Sequence, residues 1–256
     1  MPRNAMKQWR LLETIEASGS RQMAIDEAML VARSEGKIPN TLRFFKWKPP
    51  AITIGFFQSL EKEVDVKKAN SLGVDVIRRY TGGGAVLHDK EITYSLVVGE
   101  DEMPTDIIES YELICQGIVS GLALLGIDAE FRPINDIVTN GKKISGNAQT
   151  RKQGVLLQHG TLILDVDVKK MFSLLKVPDE KIRDKMISAV EERVTSVRKE
   201  IGHEISFEEI QEALTNGFQD VLKTNFIVSG LTECENQLAK KLEQEKYSAK
   251  NWNHWR

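Results

Sequence analysis

The chain has 256 residues, of which 41% are apolar and 28% are charged, as in an average globular protein. A chain of this length can bury most of the surface that its unfolded form exposes, so a compact hydrophobic core is expected. The 35 basic and 37 acidic side chains leave a formal net charge of -2, which argues against a global surface for nucleic acid or an anionic membrane.

The first two thirds of the chain predict mostly short strands. Apolar residues at helical spacing first predict a helix over residues 22–33. From Ile92 to Val98 apolar residues recur at every second position, which indicates a strand with one buried face. Asn140 followed by Gly141 is a strong hairpin-turn signal between two further strands. The other predicted elements here are strands over 41–47, 51–57, 74–77, 134–138, 143–149 and 154–165, and helices over 61–71 and 106–125.

Beyond residue 165 the pattern becomes helical. Ser206 followed by Glu209 fits a capping box, in which a hydroxyl and a carboxylate satisfy backbone N–H groups at a helix start. The helices predicted here cover residues 168–175, 179–194, 206–223 and 233–247. The prediction is therefore an α+β fold, a mixed and largely antiparallel sheet packed by helices. It forms a single domain over residues 1–256 whose C-terminal third, about 166–256, is mostly helical.

Targeting and redox features favour a cytoplasmic protein. Residues 1–10 lack the apolar run of a signal peptide, and no segment approaches the roughly 20 apolar residues that span a bilayer. Cys115 and Cys234 are far apart in the sequence, which fits a reducing compartment better than a disulfide framework. Neither they nor the four histidines show a zinc-binding spacing, so a structural metal is not expected.

A glycine-rich segment, RRYTGGGAVLHD over residues 78–89, carries the clearest chemical signal. Three consecutive glycines allow positive φ and let backbone N–H groups approach a ligand closely. Arg78 and Arg79 add positive charge, so the segment suits a phosphate or carboxylate group. It matches neither the Walker pattern nor the dinucleotide-binding glycine pattern. The alternative interpretation is a strained hairpin flanked by surface arginines.

A second segment, residues 135–149, combines an Asn-Asp pair with the sequence GKKISGNAQ. In a strand over residues 143–149, the side chains of Lys143, Ser145 and Asn147 would share one face, and Ile144 and Gly146 the other. A lysine on that polar face could stabilise the charge that develops during acyl transfer. The alternative is a pair of solvated lysines at a hairpin tip.

A third segment, QHGTLIL over residues 158–164, places His159 within an apolar strand. A lone histidine in such a strand is more often a satisfied core group than a catalyst. His88, which follows the glycines, is open to the same two interpretations.

In this order and spacing, the three segments resemble the biotin/lipoate ligase and lipoyltransferase superfamily, and most closely the lipoate-protein ligase A family. That family carries an RRxSGGGAVxHD-like motif, then ND with a GxKxSGxA-like motif, then an HGTLLL-like strand. The matching residues here are 78–89, 135–148 and 159–164. The resemblance extends to residues 23–28 and to a YxxxxWN-like ending at 247–252, so it covers nearly the whole chain.

The resemblance implies roles for individual residues. Lys143 matches the family's essential catalytic lysine. Asp136 matches an acidic residue near the phosphates, where it could hold a nucleotide-bound Mg²⁺. Thr81 replaces the more usual serine and keeps a hydroxyl. Lipoate or nucleotide binding is implied for Arg79, Thr81, Gly82, Gly83, Gly84, Ala85, Leu87, His88, Asn135, Asp136, Ser145, Gly146, Asn147, His159 and Thr161.

The activity implied is that of a ligase with ATP as co-substrate, Mg²⁺ associated with the nucleotide, and lipoate as substrate. Lipoate would attack ATP to form lipoyl-AMP, and a lysine of a lipoyl-domain acceptor would then attack the activated carbonyl. The acceptor would be a 2-oxoacid dehydrogenase E2 component or a glycine-cleavage H-type protein. Many such ligases continue into a small accessory domain, whereas this sequence ends at Arg256, so a separate accessory subunit is an expectation.

Two alternatives stay open. The superfamily also transfers octanoyl or lipoyl groups between carrier proteins without ATP, through a cysteine thioester. Neither Cys115, among apolar helical residues, nor Cys234, beyond all three motifs, matches the transferase cysteine, but residues 38–58 and 149–158 resemble the cysteine-dependent octanoyltransferases. The other alternative is a non-catalytic lipoate-binding module, against which the retention of Lys143, Asp136 and the glycines argues.

Overall fold

The computed structural model describes residues 7–176 and 180–256, with backbone only at residues 180, 181 and 183. The sequence analysis found no signal-peptide-like apolar run over residues 1–10, and residues 1–6 of that segment lie outside the described residues. The same holds for residue 179, at which the second C-terminal helix is predicted to begin.

The described strands form an eight-stranded main sheet and a three-stranded small sheet. In the main sheet the order is β11-β1-β2-β6-β10-β9-β8-β7, and in the small sheet β4-β3-β5. In the main sheet β1 runs parallel to β2 and β11, and the other neighbours are antiparallel. The strands are β1 (Lys7–Ala17), β2 (Thr41–Trp47), β3 (Ala51–Ile54), β4 (Asp75–Arg78), β5 (Val86–His88), β6 (Glu91–Gly99), β7 (Glu130–Arg132), β8 (Asp136–Thr139), β9 (Lys142–Lys152), β10 (Val155–Ile163) and β11 (Thr224–Ser229).

Helices cover both faces of the main sheet. Helices α4 and α8 pack against each other on one face. Helices α1 and α9 pack against each other on the opposite face. The helices are α1 (Gly19–Ser34), α2 (Leu60–Glu63), α3 (Val66–Ser71), α4 (Ile107–Leu124), α5 (Val168–Leu174), α6 (Glu180–Arg193), α7 (Val197–Ile201), α8 (Phe207–Leu222), α9 (Glu233–Leu242) and α10 (Lys250–Asn253). The predicted α+β class, a mixed and largely antiparallel sheet packed by helices, is confirmed.

Local signals in the sequence account for several boundaries. Asn140 and Gly141 have φ values of 48° and 74°, and they join β8 to β9 as the hairpin signal predicts. At the start of α8, the Ser206 hydroxyl and the Glu209 carboxylate form the predicted capping box. Both features depend only on neighbouring residues, so the sequence is enough to locate them.

The prediction that β6 has one buried face is wrong, because both faces of this central strand are covered. Tyr94 packs in the core with α4, whereas Val97 packs in the core with α1. Thr93 and Ser95 lie on the same face as Val97 and are also buried. Ser95 donates to the carboxylate of Asp26 on α1 at 2.6 Å. The polar residues that alternate with apolar ones along β6 are therefore buried and hydrogen-bonded, although their pattern in the sequence is typical of a solvent-exposed face.

Other boundaries differ for reasons of tertiary contact. The helix predicted over residues 61–71 is divided into α2 and α3, because Asp65 accepts from the Lys68 N–H at 3.0 Å and starts a new helix. Val64, between the two helices, pairs with Leu175. The strand predicted over 51–57 ends at Ile54, where the chain turns toward the glycine-rich segment. The sequence did not predict β1, β5, β7 or β11, which lack a clear apolar alternation and are held in the sheets by pairing with their neighbouring strands.

The helix predicted over residues 106–125 is α4, Ile107–Leu124, and it is strongly apolar. Its 18 residues have a mean hydropathy of 1.3, which by length and composition would allow a membrane span. However, its residues Ile114, Ile118 and Leu122 are buried against the sheet and α8. This is the position of a core helix.

Candidate functional site

A cavity of about 360 Å³ lies between the main sheet, the small sheet and the two helices α5 and α6. Eleven of the fifteen residues predicted to bind substrate line this cavity, together with the predicted catalytic lysine. The wall contains Arg79, Gly83, Gly84, Ala85, Leu87, His88, Asn135, Lys143, Gly146, Asn147, His159 and Thr161. Thr81, Gly82, Asp136 and Ser145 do not line it. The three sequence segments therefore converge on one cavity.

The side chain of Arg79 lies beneath the glycine loop, residues 79–85, and holds its backbone in place through hydrogen bonds. The guanidinium donates to the carbonyl oxygens of Gly82 (2.7 Å) and Gly84 (2.8 Å) and to both oxygens of Thr53 at 3.1 and 3.2 Å. Burial lowers the pKa of Arg79 to about 10, so the group stays cationic at neutral pH. Its positive charge lies under the loop, but its N–H groups are already used, which corrects the expectation of a guanidinium fork open to a ligand.

Arg78 has a different position from Arg79. Its side chain is fully buried and donates to the carbonyl oxygens of Gln58 and Asn253, at 2.6 and 3.0 Å. Its backbone N–H donates to the Asn253 side chain at 2.8 Å. Arg78 thus ties the C-terminal segment to the small sheet and takes no part in the cavity.

The glycine loop presents backbone donors beside the cavity. Gly83 has a φ of 97°, a conformation that a residue with a Cβ atom rarely adopts. Among the described residues, no acceptor pairs with the N–H groups of Gly82, Gly83 or Gly84. Free backbone N–H groups of this kind can stabilise a negatively charged oxygen.

Lys143 lies on the face opposite to the one predicted. Between β8 and β9 the register shifts after Ile137, so that Val138 pairs with Lys143 and Ile137 with Ser145. The extra residue of this β-bulge reverses the alternation. The Lys143 side chain consequently lies over Gly146, whose added Cβ would stand 2.8 Å from the lysine Nζ.

The Lys143 ammonium forms an ion pair with the Asp136 carboxylate, with an Nζ–Oδ1 distance of 2.6 Å. Both side chains are partly exposed, at 40% and 34%, so the pair can open to a ligand at small free-energy cost. Asp136 thus orients the lysine from outside the cavity wall.

Asn147 and Ser145 face α4, away from Lys143. The hydroxyl of Tyr94 donates to Asn147 Oδ1 at 2.8 Å. Asn147 Nδ2 donates to the carbonyl oxygen of Asn135 at 2.9 Å, which fixes the loop before β8. The Ser145 hydroxyl is buried without a hydrogen-bond partner among the described residues. The predicted shared polar face of Lys143, Ser145 and Asn147 is therefore wrong for the lysine.

His159 is the centre of a buried relay of three side chains. Its Nδ1 lies 2.9 Å from Asp26 Oδ2, and its Nε2 lies 2.7 Å from Thr81 Oγ1. Burial lowers the pKa of His159. Burial opposes ionisation of Asp26, but Arg43 and His159 together hold the pKa of its carboxyl below the ordinary value. We therefore assign a neutral imidazole that donates from Nδ1 to an ionised Asp26.

His88 belongs to a second buried network at the other side of the cavity. Its Nδ1 lies 2.5 Å from Glu91 Oε1 and its Nε2 lies 2.8 Å from Thr53 Oγ1. Its ring stacks on Trp47 with 4.1 Å between centroids. These contacts place an aromatic surface in the cavity wall, which suits an apolar ligand.

The residues that complete both networks, chiefly Asp26, Trp47, Thr53 and Glu91, were not among the site residues predicted from the sequence. One signal was present: Asp26 is a carboxylate between apolar residues of a predicted helix, and a buried acid is rare unless it is paired. Glu91 is only three residues from its partner His88, but Thr53 lies 35 residues from His88 and Asp26 lies 133 residues from His159, so no local pattern identifies these two pairs.

Neither cysteine lines the cavity. Cys115 is buried in α4 on the opposite face of the sheet from His159, and burial raises the pKa of its thiol to about 12. Cys234 is exposed in the first turn of α9. The low thiolate fraction of Cys115 at neutral pH makes it a poor nucleophile.

The mixed sheet, the glycine loop and the shared cavity define a catalytic domain of the lipoate- and biotin-ligase superfamily. The family model described as the lipoyl protein ligase A/B catalytic domain matches residues 18–219, and the chain belongs to that family. It is an enzyme of the lipoate ligase and transferase family, as the sequence motifs predict.

Individual relatives refine this assignment. The octanoyltransferase LipM of Kyrpidia tusciae is 41% identical, with 97% of this chain and 99% of that protein covered. The octanoyltransferase LipM of Brevibacillus brevis is 37% identical with the same coverage. A solved structure described as a bi-partite lipoate protein ligase from Thermoplasma acidophilum has a TM-score of 0.89 and 34% identity, over 98% of this chain and 97% of that one.

The octanoyltransferase relatives overturn two expectations. The interpretation as an ATP-dependent ligase that forms lipoyl-AMP is wrong, and ATP-independent transfer is supported better. ATP and Mg²⁺ are accordingly not co-substrates, so the expected magnesium role of Asp136 no longer applies. A common fold and similar motifs allow either chemistry, and the motifs alone favoured the wrong one.

Proposed function

We propose that this chain transfers an octanoyl-type acyl group from a carrier protein to a lysine of a lipoyl-domain acceptor, without ATP. The observation that carries the proposal is the match to octanoyltransferases over 97% of this chain and 99% of the first relative. The single catalytic domain over residues 1–256 is part of the proposal.

The cavity supports acyl binding by its composition. Its wall includes Met23, Trp47, Ala85, Val86 and Met171, which offer apolar surface to a hydrocarbon tail. Burial of each methylene contributes about 0.8 kcal/mol, enough for a medium-length acyl chain to determine affinity. A protein-bound donor would deliver its thioester carbonyl at the cavity mouth.

The polar groups support a site for the reacting carbonyl. We assign to the Lys143 ammonium the stabilisation of the oxygen that becomes negative when the acceptor amine attacks, with Asp136 as its positioning residue. The free N–H groups of Gly82, Gly83 and Gly84 would act on the same oxygen. We assign acyl-donor binding to the remaining predicted wall residues: Arg79, Ala85, Leu87, His88, Asn135, Gly146, Asn147, His159 and Thr161.

The partners follow from the same proposal. The acceptor would be an E2 lipoyl domain or a glycine-cleavage H-type protein, and the donor an octanoyl carrier protein. The separate accessory subunit implied by the resemblance to ligases stays a prediction, and the transfer proposed here does not depend on it.

The test is a transfer assay with the purified chain, octanoyl carrier protein and a lipoyl-domain acceptor, without nucleotide. Intact-mass measurement should show the acceptor gaining one octanoyl group, and added ATP with Mg²⁺ should not raise the rate. A matched acceptor with its target lysine changed to arginine should gain nothing. Modification that occurs only from free octanoate or lipoate plus ATP would contradict the proposal.

A further inference from the structure

The proposed transfer raises the question of which group holds the acyl chain between donor and acceptor. Cys115 is buried on the far face of the sheet, and Cys234 is exposed on α9. Neither lines the cavity. A thioester on this enzyme therefore has no suitably placed thiol among the described residues.

One hydroxyl group has the surroundings that a covalent catalyst needs. Thr81 Oγ1 lies 2.7 Å from His159 Nε2, and His159 Nδ1 lies 2.9 Å from Asp26 Oδ2. Asp26 is further fixed by the Ser95 hydroxyl at 2.6 Å and by Arg43, whose Nη1 lies 3.5 Å from Oδ1. A nucleophile, a base and a group that orients the base thus stand in order.

We infer that Thr81, activated by His159 and oriented by Asp26, accepts the acyl group as an oxygen ester before it passes to the acceptor lysine. The inference rests on the proposed transfer function. It adds a covalent intermediate that uses oxygen instead of sulfur.

The tautomer of His159 fits this role. Because Asp26 is ionised, the imidazole donates its Nδ1–H to that carboxylate, and Nε2 is left to accept the Thr81 hydroxyl proton. Burial keeps the imidazole neutral by lowering the pKa of His159. A neutral imidazole with a free lone pair on Nε2 is the form that serves as a general base.

The glycine loop supplies the matching electrophile site. Gly82 follows Thr81 directly, and the N–H groups of Gly82, Gly83 and Gly84 have no acceptor within the described part of the chain. A carbonyl that bonds to Thr81 Oγ1 would hold its oxygen near these donors, with the Arg79 charge beneath them.

The two covalent steps balance as follows. Thr81 Oγ1 attacks the thioester carbon, a C–O bond forms, the C–S bond breaks, and the hydroxyl proton passes through His159 Nε2 to the departing thiolate. The neutral amine of the acceptor lysine then attacks the ester carbon. A C–N bond forms, the C–O bond breaks, and an amine proton returns through His159 to Thr81. The net reaction converts a thioester and an amine into an amide and a thiol.

Access to the hydroxyl depends on the glycine loop. Thr81 is only 1% exposed, whereas its partner His159 lines the cavity. A Cβ atom added at Gly82 or at Gly84 would meet no heavy atom within 4 Å. The loop next to Thr81 therefore borders open space at Gly82 and Gly84, and this is the side from which a carbonyl would approach the hydroxyl.

The experiment traps the intermediate on the full chain. Incubation with octanoyl carrier protein and no acceptor, followed by an acid quench, should give one octanoyl adduct by intact mass. Peptide sequencing by mass spectrometry should place it on Thr81. An oxygen ester survives neutral hydroxylamine, which cleaves a thioester. As a matched control, the Cys115→Ala, Cys234→Ala double variant should keep the adduct.

Transfer assays on variants separate chemistry from folding. Thr81→Val should lower the transfer rate by about 100-fold or more, as loss of an activated nucleophile does, and form no adduct. Thr81→Ser keeps a hydroxyl and should retain both. Thermal unfolding of Thr81→Val shows whether the fold is intact. If it is not, the adduct and transfer rate of Thr81→Ser test whether a hydroxyl at position 81 carries the acyl group.

The outcomes are distinct. The inference stands only if the hydroxylamine-stable adduct maps to Thr81 and the hydroxyl is required for transfer. An adduct on a cysteine, no adduct, or full transfer by Thr81→Val overturns it while leaving the proposed function intact. If the unchanged chain transfers no octanoyl group to the acceptor, the proposed function itself fails, and this inference fails with it.

Discussion

The Lys143 side chain lies directly over Gly146, so that a Cβ atom added at position 146 would stand 2.8 Å from both Cε and Nζ of the lysine. The absence of a side chain at Gly146 thus creates the space in which the ammonium reaches Asp136 and the cavity. This contact exists because the bulge at the start of β9 turns Lys143 to the face of Gly146.

Gly146→Ala is expected to lower transfer by about tenfold or more with little loss of stability. The atoms that must move are the far end of a flexible side chain, so the added methyl group displaces the lysine at small cost. Transfer kinetics and thermal unfolding of the same preparation check this. A rate within about twofold of the parent chain would mean that the observed position of Lys143 is not the reactive one.

Lys143→Ala is expected to reduce transfer by about 100-fold or more while the protein stays folded. Its charge is assigned to the reacting carbonyl, and removal of a donor of this kind typically costs a factor of this size. Lys142→Ala is the matched control, because Lys142 is adjacent and exposed. Equal rates for the two variants would remove Lys143 from the mechanism.

Gly83→Val is expected to weaken binding of the acyl donor more than it weakens the fold. The added Cβ would stand 2.7 Å from Arg79 Nη2, at a φ of 97°, so the loop must leave its present shape. Gly36→Val provides the control, since Gly36 also has positive φ (67°) but nothing within 4 Å of an added Cβ. Donor KM should rise for Gly83→Val alone. An equal rise in donor KM in both variants would show that backbone strain alone, and not the shape of the loop at Gly83, weakens donor binding.

Acidification is expected to destabilise the fold through His159. Because its pKa is lowered in the folded state by burial, the unfolded chain takes up a proton first as the pH falls below about 6.5. The contribution to stability is therefore full above that pH and is lost as the pH falls toward the lowered pKa, with a slope of at most about 1.4 kcal/mol per pH unit. Asp26, Arg79 and His88 are the charged or titratable groups that act on His159.

Urea unfolding between pH 5 and 8 measures this effect. His159→Gln should flatten the pH dependence of the free energy of unfolding, whereas His203→Gln, at an exposed position, should leave it unchanged. A profile that flattens equally in both variants would show that surface charge, not the buried imidazole, determines the slope.

The comparison with relatives, rather than the geometry of the site, corrected the reaction predicted from the motifs. The glycine loop and Lys143 are compatible with an activated acyl group whether it comes from an adenylate or from a carrier thioester, because both present an electrophilic carbonyl and a developing negative oxygen. The whole-length match to octanoyltransferases separates these possibilities, which neither the motifs nor the cavity does.

By itself the sequence determined the local features and the family. The Asn140–Gly141 turn, the capping box of α8 and the gathering of three motifs at one cavity follow from φ preferences, neighbouring hydrogen bonds and motif order. Only the tertiary structure decided that Lys143 faces Gly146, and that Asp26, Thr81 and His159 form one relay. The reason is that hydrophobic periodicity specifies a face only while the register is regular. A single bulge reverses that face, and contacts between residues far apart in the chain depend on which strands become neighbours.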